Sequence, residues 1–518
     1  GFPGGGGGGR FGGGRNGLNA TKMLGGNFNY EKADKLKLNG SLRWNHSDGD
    51  VMSKRSAENC VSDQSSFSNS LNQSYSRSDS WNARMRIEWT PDSMTNIMFR
   101  PSFSYSKTDG TSNNLSATYS EDPYLTTDSP LSQAGIESLI KNGSMINRQE
   151  SSSISYSDSK NVGGRLQVNR RLSDNGRNLT LTADANYKEG QSNNLSNSNV
   201  HLYQIKDALG NDSTYQTNRY SVTPTKNWDY SAGLTYSEPI FKATYLQFRY
   251  NFQYKYQKSD RVTYDFSNLG EDYFSGLSPE YRQWGGYLDR LTNPLESYLD
   301  DDLSRYSEYK NYIHTFDLML RIVRNDYNFN VGMQVIPQQT KFVQHYQGVN
   351  TDTVRNVTNI TPTADFRWKI SKQSQLRFNY RGRSSQPSMT DLLDIVDDSD
   401  PLRITRGNPG LKPSFSNNLM LFYNNYIQKH QRSVMANVFF NTTSNSVSQM
   451  VTYDPTTGGQ TSRPENINGN WNINSGFMFN TALDSLGLFY VNTMTDFGYS
   501  HNVSYLNLNR SETAQKNS

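Results

Sequence analysis

The residue types that most often carry catalysis or bind metals are scattered along this sequence. The six histidines stand at positions 46, 201, 314, 345, 430 and 501, with no HExxH pair and no other spacing typical of zinc. The sequence has no GxSxG elbow, and its single cysteine, Cys60, has no histidine partner in a catalytic motif. We therefore predict that the chain is not an enzyme and has no cofactor and no bound metal. The histidines are expected to be solvated or to line a water-filled interior.

Two acidic stretches could in principle supply oxygen ligands to Ca²⁺. They are DLLDIVDDSD at 391–400 and LDDDL at 299–303. Neither has the glycine and the regular ligand spacing of an EF-hand loop, so both are interpreted as solvated loops. The 52 basic and 48 acidic residues nearly balance and form no basic run, which argues against a nucleic-acid partner.

The elements that position these residues are indicated by composition and by hydrophobic periodicity. Only 33% of the residues are hydrophobic, yet 12% are aromatic. Disordered chains are poor in aromatic residues, whereas alternating strands need an apolar side chain only at every second position. The segment TYLQFRYNFQYKYQ at 244–257 alternates in this way throughout its length. Ordinary strands have about 5–6 residues and membrane-crossing strands about 9–11, so this segment is typical of a membrane barrel.

The same alternation recurs about sixteen times, and the connections between the segments are of two kinds. Short turns are predicted at 31–35, 90–94, 173–177, 238–239, 324–327, 371–375, 428–432 and 483–487. Long polar loops are predicted at 47–73, 108–152, 191–227, 258–308, 341–355, 384–414 and 446–466. This strict alternation is typical of bacterial outer-membrane barrels, which have short periplasmic turns and longer extracellular loops. The predicted fold is all-β, a large antiparallel transmembrane β-barrel, and no segment is apolar enough for a membrane helix.

The alternation assigns side chains to the two faces of the predicted barrel wall. The side chains predicted to face lipid are Leu246, Phe248, Tyr250, Phe252 and Tyr254. The candidates for the lumen are Arg249, Lys255, Arg367 and Arg377. The simplest role for these four cations is pairing with neighbouring carboxylates, and contact with a plug or an anionic solute is the alternative.

The glycine-rich start of the chain is predicted to be an extracellular loop. It could be read as a phosphate loop, but no Gly-Lys-Ser/Thr follows it and no strand precedes it. The first alternating segment ends at a short turn, which places residues 1–20 on the extracellular side. Residues 21–518 are then an incomplete barrel, because an even strand count requires an odd number of further strands at each end.

One short motif resembles a known family. The stretch RGNPGLKPSF contains Gly407, Asn408, Pro409, Leu411, Lys412 and Pro413, which match the GNP-x-LKPE signature that opens a barrel strand in TonB-dependent outer-membrane receptors. Ser414 stands where that signature has glutamate. The glycine-rich stretch followed by a descending strand is similar to the plug-bearing outer-membrane β-barrel family. We expect the motif to set where a loop ends and a strand begins, because its prolines restrict the backbone.

The resemblance implies a 22-strand barrel in the outer membrane of a Gram-negative bacterium, with its own plug and coupling to the TonB system. The expected partners are outer-membrane lipid and a candidate surface lipoprotein. The implied function is uptake of an unidentified ligand through the external loops. The alternatives are an unplugged passive channel or adhesion barrel, and a soluble secreted β-sandwich.

Overall fold

A computed structural model describes residues 17–33, 35–59, 66–270, 273, 284–392, 396–397, 402–428, 431–484, 487–506 and 509–517. Sixteen strands of 12 or more residues lie in this part of the chain. They are Leu18–Lys32 (β1), Leu36–Asn59 (β2), Ser66–Asp92 (β3), Thr95–Tyr119 (β4), Met145–Arg171 (β5), Asn178–Lys206 (β6), Asp212–Phe241 (β7), Thr244–Asp265 (β8), Arg305–Val323 (β9), Tyr327–Tyr346 (β10), Val349–Lys369 (β11), Ser374–Ser385 (β12), Ser414–Ile427 (β15), Arg432–Ser444 (β16), Asn470–Ala482 (β19) and Tyr490–Leu506 (β20).

The remaining elements are short. The shorter strands are Val396–Asp397 (β13), Arg403–Arg406 (β14), Ser446–Tyr453 (β17), Gln460–Ile467 (β18) and Asn509–Asn517 (β21). The α-helices of the described residues are Gln133–Lys141 (α1), Trp284–Leu288 (α2) and Met389–Leu392 (α3), and the 3-10 helices are Pro123–Leu125, Ser267–Leu269 and Leu295–Tyr298. None of these helices is both long and apolar enough to cross a membrane.

The long strands form one continuous antiparallel sheet in chain order. Each strand from β1 to β12 pairs with the next, and the order then runs β12–β15–β16–β19–β20–β21. Among the described residues, β1 pairs on one side only, with β2. The prediction of a large antiparallel β-barrel with about sixteen strands is confirmed. A soluble sandwich would pack two sheets face to face, and a single sheet of this length with an exposed apolar face does not do so.

Eight short connections between described strands lie at one end of the sheet, which we call the lower end. Seven of them fall at predicted turns, whereas the predicted turn at 238–239 is wrong, because both residues belong to β7 and the chain turns at 242–243. These connections have two to seven residues: 33–35, 93–94, 172–177, 242–243, 324–326, 370–373, 428–431 and 483–489. The opposite, upper end carries the longer connections 120–144, 266–304, 386–413 and 445–469. The prediction that short and long connections lie at opposite ends of the sheet is therefore correct.

Four predicted long loops differ from the structure because they are mostly strand; one of them, 446–466, is the separate hairpin β17–β18. The segments 47–73, 191–227 and 341–355 continue the β2–β3, β6–β7 and β10–β11 hairpins, and the last closes in the two-residue turn Gln347–Gly348. Both turn residues have positive φ, 49° and 69°, as a type I′ turn requires. Asn, Ser and Thr on both faces indicated loops, but in water such side chains are equally compatible with a hydrogen-bonded ladder.

In the described part of the chain, two small hydrophobic cores lie in the upper half of the molecule. One core packs Ala117 and Tyr119 of β4 against Ile136 and Leu139 of α1. A second joins Ile154, Leu195, Tyr220, Phe266 and Tyr287. Ser132 caps α1 by accepting a hydrogen bond from the Gly135 backbone N–H at 3.1 Å. The upper hairpins are thus supported by packed connections.

The start of β1 differs from the predicted boundary at residue 21. The strand begins at Leu18, so residues 18–20 are strand and not loop. Residues 1–16 lie outside the described residues, as does Cys60, and the extracellular position of the glycine run stays a prediction.

Candidate functional site

The two faces of the sheet differ in chemistry along its whole width. One face, which we call the apolar face, carries large hydrophobic side chains that are exposed, among them Phe28, Phe103, Leu234, Phe316 and Phe477. The other, the polar face, carries mainly Asn, Ser, Thr and charged side chains. In membrane barrels the apolar face contacts lipid and the polar face lines the interior.

Aromatic side chains form two levels on the apolar face. At the upper level Trp44 contacts Trp81 with ring centroids 6.1 Å apart, and Trp228 contacts both Tyr187 and Tyr256 at 5.5 and 6.3 Å. The lower level includes Trp89, Tyr236, Tyr327 and Trp368. We call these levels the upper and lower aromatic girdles.

The spacing of the girdles matches a bilayer. Trp228 and Tyr236 stand eight residues apart on β7, which is about 26 Å of strand and about 20 Å of height at a tilt near 40°. The apolar band of outer-membrane barrels is about 25 Å tall. β6 continues from Tyr187 to Lys206, so roughly 60 Å of strand extends beyond the upper girdle.

A row of polar side chains crosses four neighbouring strands on the polar face. Arg249 of β8 stands opposite Asp317 of β9, which stands opposite Gln334 of β10. The Gln334 amide donates to Asp317 Oδ2 at 2.9 Å, and Thr361 of β11 donates to Gln334 Oε1 at 3.3 Å. Asp317 is only 8% exposed, and its Oδ1 accepts no hydrogen bond from the described residues. The row leaves one buried carboxylate oxygen unsatisfied beside a cation.

A second polar cluster lies next to this row. Asp365 of β11 accepts a hydrogen bond from Asn379 at 3.1 Å and forms an ion pair with Arg377 at 3.6 Å. Arg381 and Arg383 follow Arg377 on the same face of β12 at the two-residue period of a strand.

These two groups line one cavity of about 760 Å³ on the polar face. Its lining includes four arginines and two aspartates: Arg249, Arg377, Arg381, Arg383, Asp317 and Asp365. The formal charge of this set is positive, so the cavity is complementary to an anionic group.

Two of the four predicted lumen cations therefore line the cavity and two do not. Arg249 and Arg377 do. Arg367 shares their face but donates to Gln375 Oε1 at 3.1 and 2.9 Å. Lys255 stands opposite Asp229 and makes no ion pair within 4.0 Å in the described part of the chain. Asp317, Asp365, Arg381 and Arg383 were not predicted from the sequence, although each occupies a polar-face position of its strand.

The five predicted lipid-facing residues share the apolar face of β8. Phe248 stands opposite Leu318 and is 47% exposed, and Tyr250 stands opposite Phe316 and is 41% exposed. Contact with lipid stays a prediction for this set.

His314 differs from the expectation for the histidines. It lies on the apolar face, opposite Phe252, where its Nδ1 forms a 2.9 Å hydrogen bond with the Tyr250 hydroxyl. Its ring is 5.1 Å from that of Phe252. The alternation contained the signal, because His314 is two residues from Phe316 on the same strand face.

The motif residues lie where the connection 386–413 meets the upper hairpin β17–β18. Asn408 is 5% exposed and donates to the Pro464 carbonyl at 2.9 Å. The Asn408 side-chain oxygen accepts from the Gly410 N–H at 2.9 Å. Leu411 is equally buried, at 5% exposed. Asparagine thus closes the turn locally and attaches it to a neighbouring strand.

The end of the motif is held by backbone contacts. The Lys412 N–H donates to Asn466 Oδ1 at 2.6 Å, and Asn466 Nδ2 donates back to the Lys412 carbonyl at 3.0 Å. β15 begins at Ser414, directly after Pro413. This arrangement favours the predicted role in setting the strand start, and no contact to a ligand is needed to explain it.

A smaller cavity of about 390 Å³ lies under the same connection at the upper end. Arg305 donates to the buried Gln344 Oε1 at 3.2 and 2.9 Å, and its guanidinium lies 5.3 Å from the Tyr346 ring. Burial raises the pKa of Tyr346 to about 12, so its hydroxyl stays protonated. Gly407 also lines this cavity.

The acidic stretches supply no metal site among the residues that the structure describes. No group of three or more His, Cys, Asp or Glu side chains converges there. In 299–303, Asp300 Oδ1 instead accepts from the Leu303 N–H at 2.9 Å. Residues 393–395 and 398–400 of the other stretch lie outside the described residues.

The single wide sheet, its two girdles and its polar face define a class, the β-barrel proteins of the bacterial outer membrane. Residues 288–518 match the model of the outer membrane protein beta-barrel family. This match confirms the resemblance predicted from the sequence. No curated protein sequence matches the chain.

Several solved outer-membrane proteins have similar structures. The copper transporter OprC is 12% identical, with 94% of this chain and 61% of that chain covered and a TM-score of 0.46. The siderophore receptor PiuA from Acinetobacter baumannii is 11% identical, with 94% and 64% covered and a TM-score of 0.45. The transporter YddB from Escherichia coli is 12% identical, with 93% and 54% covered and a TM-score of 0.42. The chain spans about three fifths of the length of such proteins, and likeness at this level concerns the general fold alone.

Proposed function

We propose that this chain is the barrel part of an outer-membrane transporter of the TonB-dependent-receptor type, which takes up a ligand captured by its upper segments. In this proposal the polar face lines the lumen, and the lumen holds a plug. The glycine-rich residues before β1 are part of an extracellular loop in this proposal. The proposed protein performs transport and no catalysis.

The observation that carries the proposal is the arginine-lined cavity on the polar face. Barrels of about eight strands fill their interior with side chains, whereas barrels of 16 to 22 strands enclose a channel or a plug. The wall of an open channel is solvated, so water supplies hydrogen-bond partners to its polar groups and none has to be buried without one. Asp317 Oδ1 has no hydrogen-bond partner among the described residues, and four arginines line the same cavity of about 760 Å³. This lining suits an occupant that carries both charged and hydrogen-bonding groups.

The cavity at the upper end supports capture from outside. It lies where the connection 386–413 covers the polar face of β9 and β10, and Arg305 and Arg406 are among its lining residues. Both cavities thus present guanidinium groups, which bind carboxylates and phosphates in a bidentate manner. Asp391 and Asp397 also line the upper cavity, so of these two cavities the larger one has the positive formal charge. The proposed ligand, or the plug segment that contacts the wall, is anionic where it meets these arginines.

The test is single-channel conductance of the full-length protein in planar bilayers. A plugged transporter keeps the bilayer closed at moderate voltage, and a general porin reconstituted in the same way is the positive control. Steady conductance of the full-length protein would instead establish the passive channel. Binding of the full-length protein to the periplasmic domain of TonB provides an independent readout, and absence of binding would contradict energy coupling.

A further inference from the structure

A row of charged side chains stands directly above the upper aromatic girdle on the apolar side of the sheet. On seven strands the next same-face position beyond the aromatic residue is ionisable. The pairs are Trp44–His46, Trp81–Asp79, Tyr105–Lys107, Tyr187–Glu189, Trp228–Lys226, Tyr256–Lys258 and Tyr312–Lys310. In each pair the charged residue is the one nearer the upper end.

The row is continuous over nine successive strands. On β5 and β10, which have no girdle aromatic, Lys160 and Lys341 occupy the matching positions, opposite Glu189 and Lys310 respectively. We call the set the outer charged belt: His46, Asp79, Lys107, Lys160, Glu189, Lys226, Lys258, Lys310 and Lys341. The belt contains six lysines and two carboxylates, so its net charge is positive.

Half of the belt lysines are already paired. Lys107 is 3.6 Å from Asp79, Lys226 is 3.9 Å from Glu189, and Lys310 pairs with Glu308 at 2.7 Å. Such exposed pairs neutralise charge without adding much stability.

The other three lysines make no ion pair within 4.0 Å among the described residues. Lys258 and Lys341 lie over the rings of Tyr306 and Tyr312, with Nζ 5.1 and 5.9 Å from the ring centroids. Lys160 stands two residues above Val162, which is 53% exposed on the apolar face. Long side chains that lie along apolar surface with the ammonium free are typical of the level where hydrocarbon meets headgroups.

The strands further along the sheet, β12, β16 and β20, carry no matching row of charged side chains on the apolar face in the described residues. Beyond Tyr380, Phe440 and Tyr499 the same-face positions are Gly382, Thr442 and His501, with no Lys, Arg, Asp or Glu. A row that served only general solubility would continue around the sheet.

We propose that the outer charged belt binds the anionic headgroups of outer-leaflet lipids and so gives one side of the barrel a preferred lipid shell. The belt residues lie two positions beyond the aromatic girdle along each strand, just outside the hydrocarbon band. This is the depth of lipid phosphates. Its unpaired lysines supply the complementary charge. The inference depends on the barrel fold and not on the proposed transport.

Native mass spectrometry of the full chain in detergent tests the belt. The protein is titrated with phosphatidylglycerol or phosphatidylcholine at equal concentration. The test variant carries Lys160→Gln, Lys258→Gln and Lys341→Gln. The control carries Lys37→Gln, Lys188→Gln and Lys369→Gln, three lysines on the polar face. Heat-modifiable migration on gels establishes that both variants fold.

The original protein is expected to retain phosphatidylglycerol over phosphatidylcholine by about fivefold, the effect of one lysine at an anionic surface. The belt variant should lose this preference and the control should keep it. No preference in the original protein, or an equal loss in both variants, would overturn the proposal. Full displacement of the lipid by inorganic phosphate at equal concentration would show a small-anion site instead and would also overturn it.

Discussion

Replacing Ala232 by arginine should destabilise the folded barrel far more than the same replacement at the adjacent Ser231. The two positions lie at one depth on β7 and point to opposite faces. Ala232 is exposed on the apolar face opposite Phe252, and Ser231 donates to Asp184 Oδ2 at 3.3 Å on the polar face. Both residues are small, so the pair isolates the effect of the face.

The magnitude follows from the position of Ala232 between the girdles. It is four residues from Trp228 and four from Tyr236, or about 10 Å of height from each at a tilt near 40°. An arginine there cannot carry its charge fully to either interface. At the midplane of a barrel this substitution costs about 2–4 kcal/mol, equivalent to about a 30- to 900-fold change in the folding equilibrium. Arginine at Ser231 gains the Asp184 carboxylate, and its cost should stay below about 1 kcal/mol.

The assay is reversible guanidinium unfolding in liposomes, followed by tryptophan fluorescence from the seven tryptophans. Equal losses at the two positions would refute the assignment of faces. A larger loss at Ser231 would place the apolar face inside and reverse the whole interpretation. Refolding yield on gels separates a failure to insert from a lower stability.

Three further predictions concern single contacts. Asp317→Ala should lower the free energy of unfolding by about 1–3 kcal/mol, because the Gln334 amide loses its acceptor, and a double-mutant cycle of the two positions measures the coupling. Hydrogen bonds to Asp79 and then Asp48 raise the pKa of His46 above 6.5, so NMR titration of labelled histidine should show a high value that falls in Asp79→Asn. The stabilisation from His46 is therefore present below pH 6.5 and is lost as the pH rises through its raised pKa. Asn408→Ala removes the bond to the Pro464 carbonyl and should cost about 1–3 kcal/mol locally, measured as faster proteolysis of 386–413.

Each of these predictions has its own control and its own contrary result. For Asp317, additive losses with Gln334→Ala would contradict a direct contact. For His46, an unchanged titration in Asp79→Asn would exclude the carboxylate as the main cause. For Asn408, Lys412→Ala is the matched control, because Lys412 makes its contacts through the backbone. Equal proteolysis of both variants would contradict the role of the Asn408 side chain.

The prediction of strands succeeded where one face of a strand is uniformly apolar and failed where both faces carry mainly polar side chains. At 244–257 lipid on one side and a polar interior on the other impose strict alternation, and β8 covers this range. In 191–227 most side chains on both faces are polar, and the few buried apolar ones, such as Leu195 and Tyr220, follow no regular alternation, so the strands were interpreted as loop. Hydrogen bonds between β6 and β7 hold that segment, and they leave no periodic mark in the sequence.

The candidate site was only half predictable for the same physical reason. Arg249 and Arg377 could be assigned to the polar face by counting residues within a strand. That they share one cavity with Asp317 depends on the registers of β8 to β12, and a slip of one residue would move each to the other face.

By itself the sequence determined the fold class, the number of long strands and the end of the sheet at which the tight turns lie, because periodicity and turn residues are local properties. Only the tertiary structure decided which side chains on different strands lie next to each other. The pairing register brought the arginines around one cavity, aligned the lysines above the aromatic girdle and placed His314 among apolar side chains. Local patterns fix the face that a residue occupies, whereas the neighbours on that face come from strands far away in the chain.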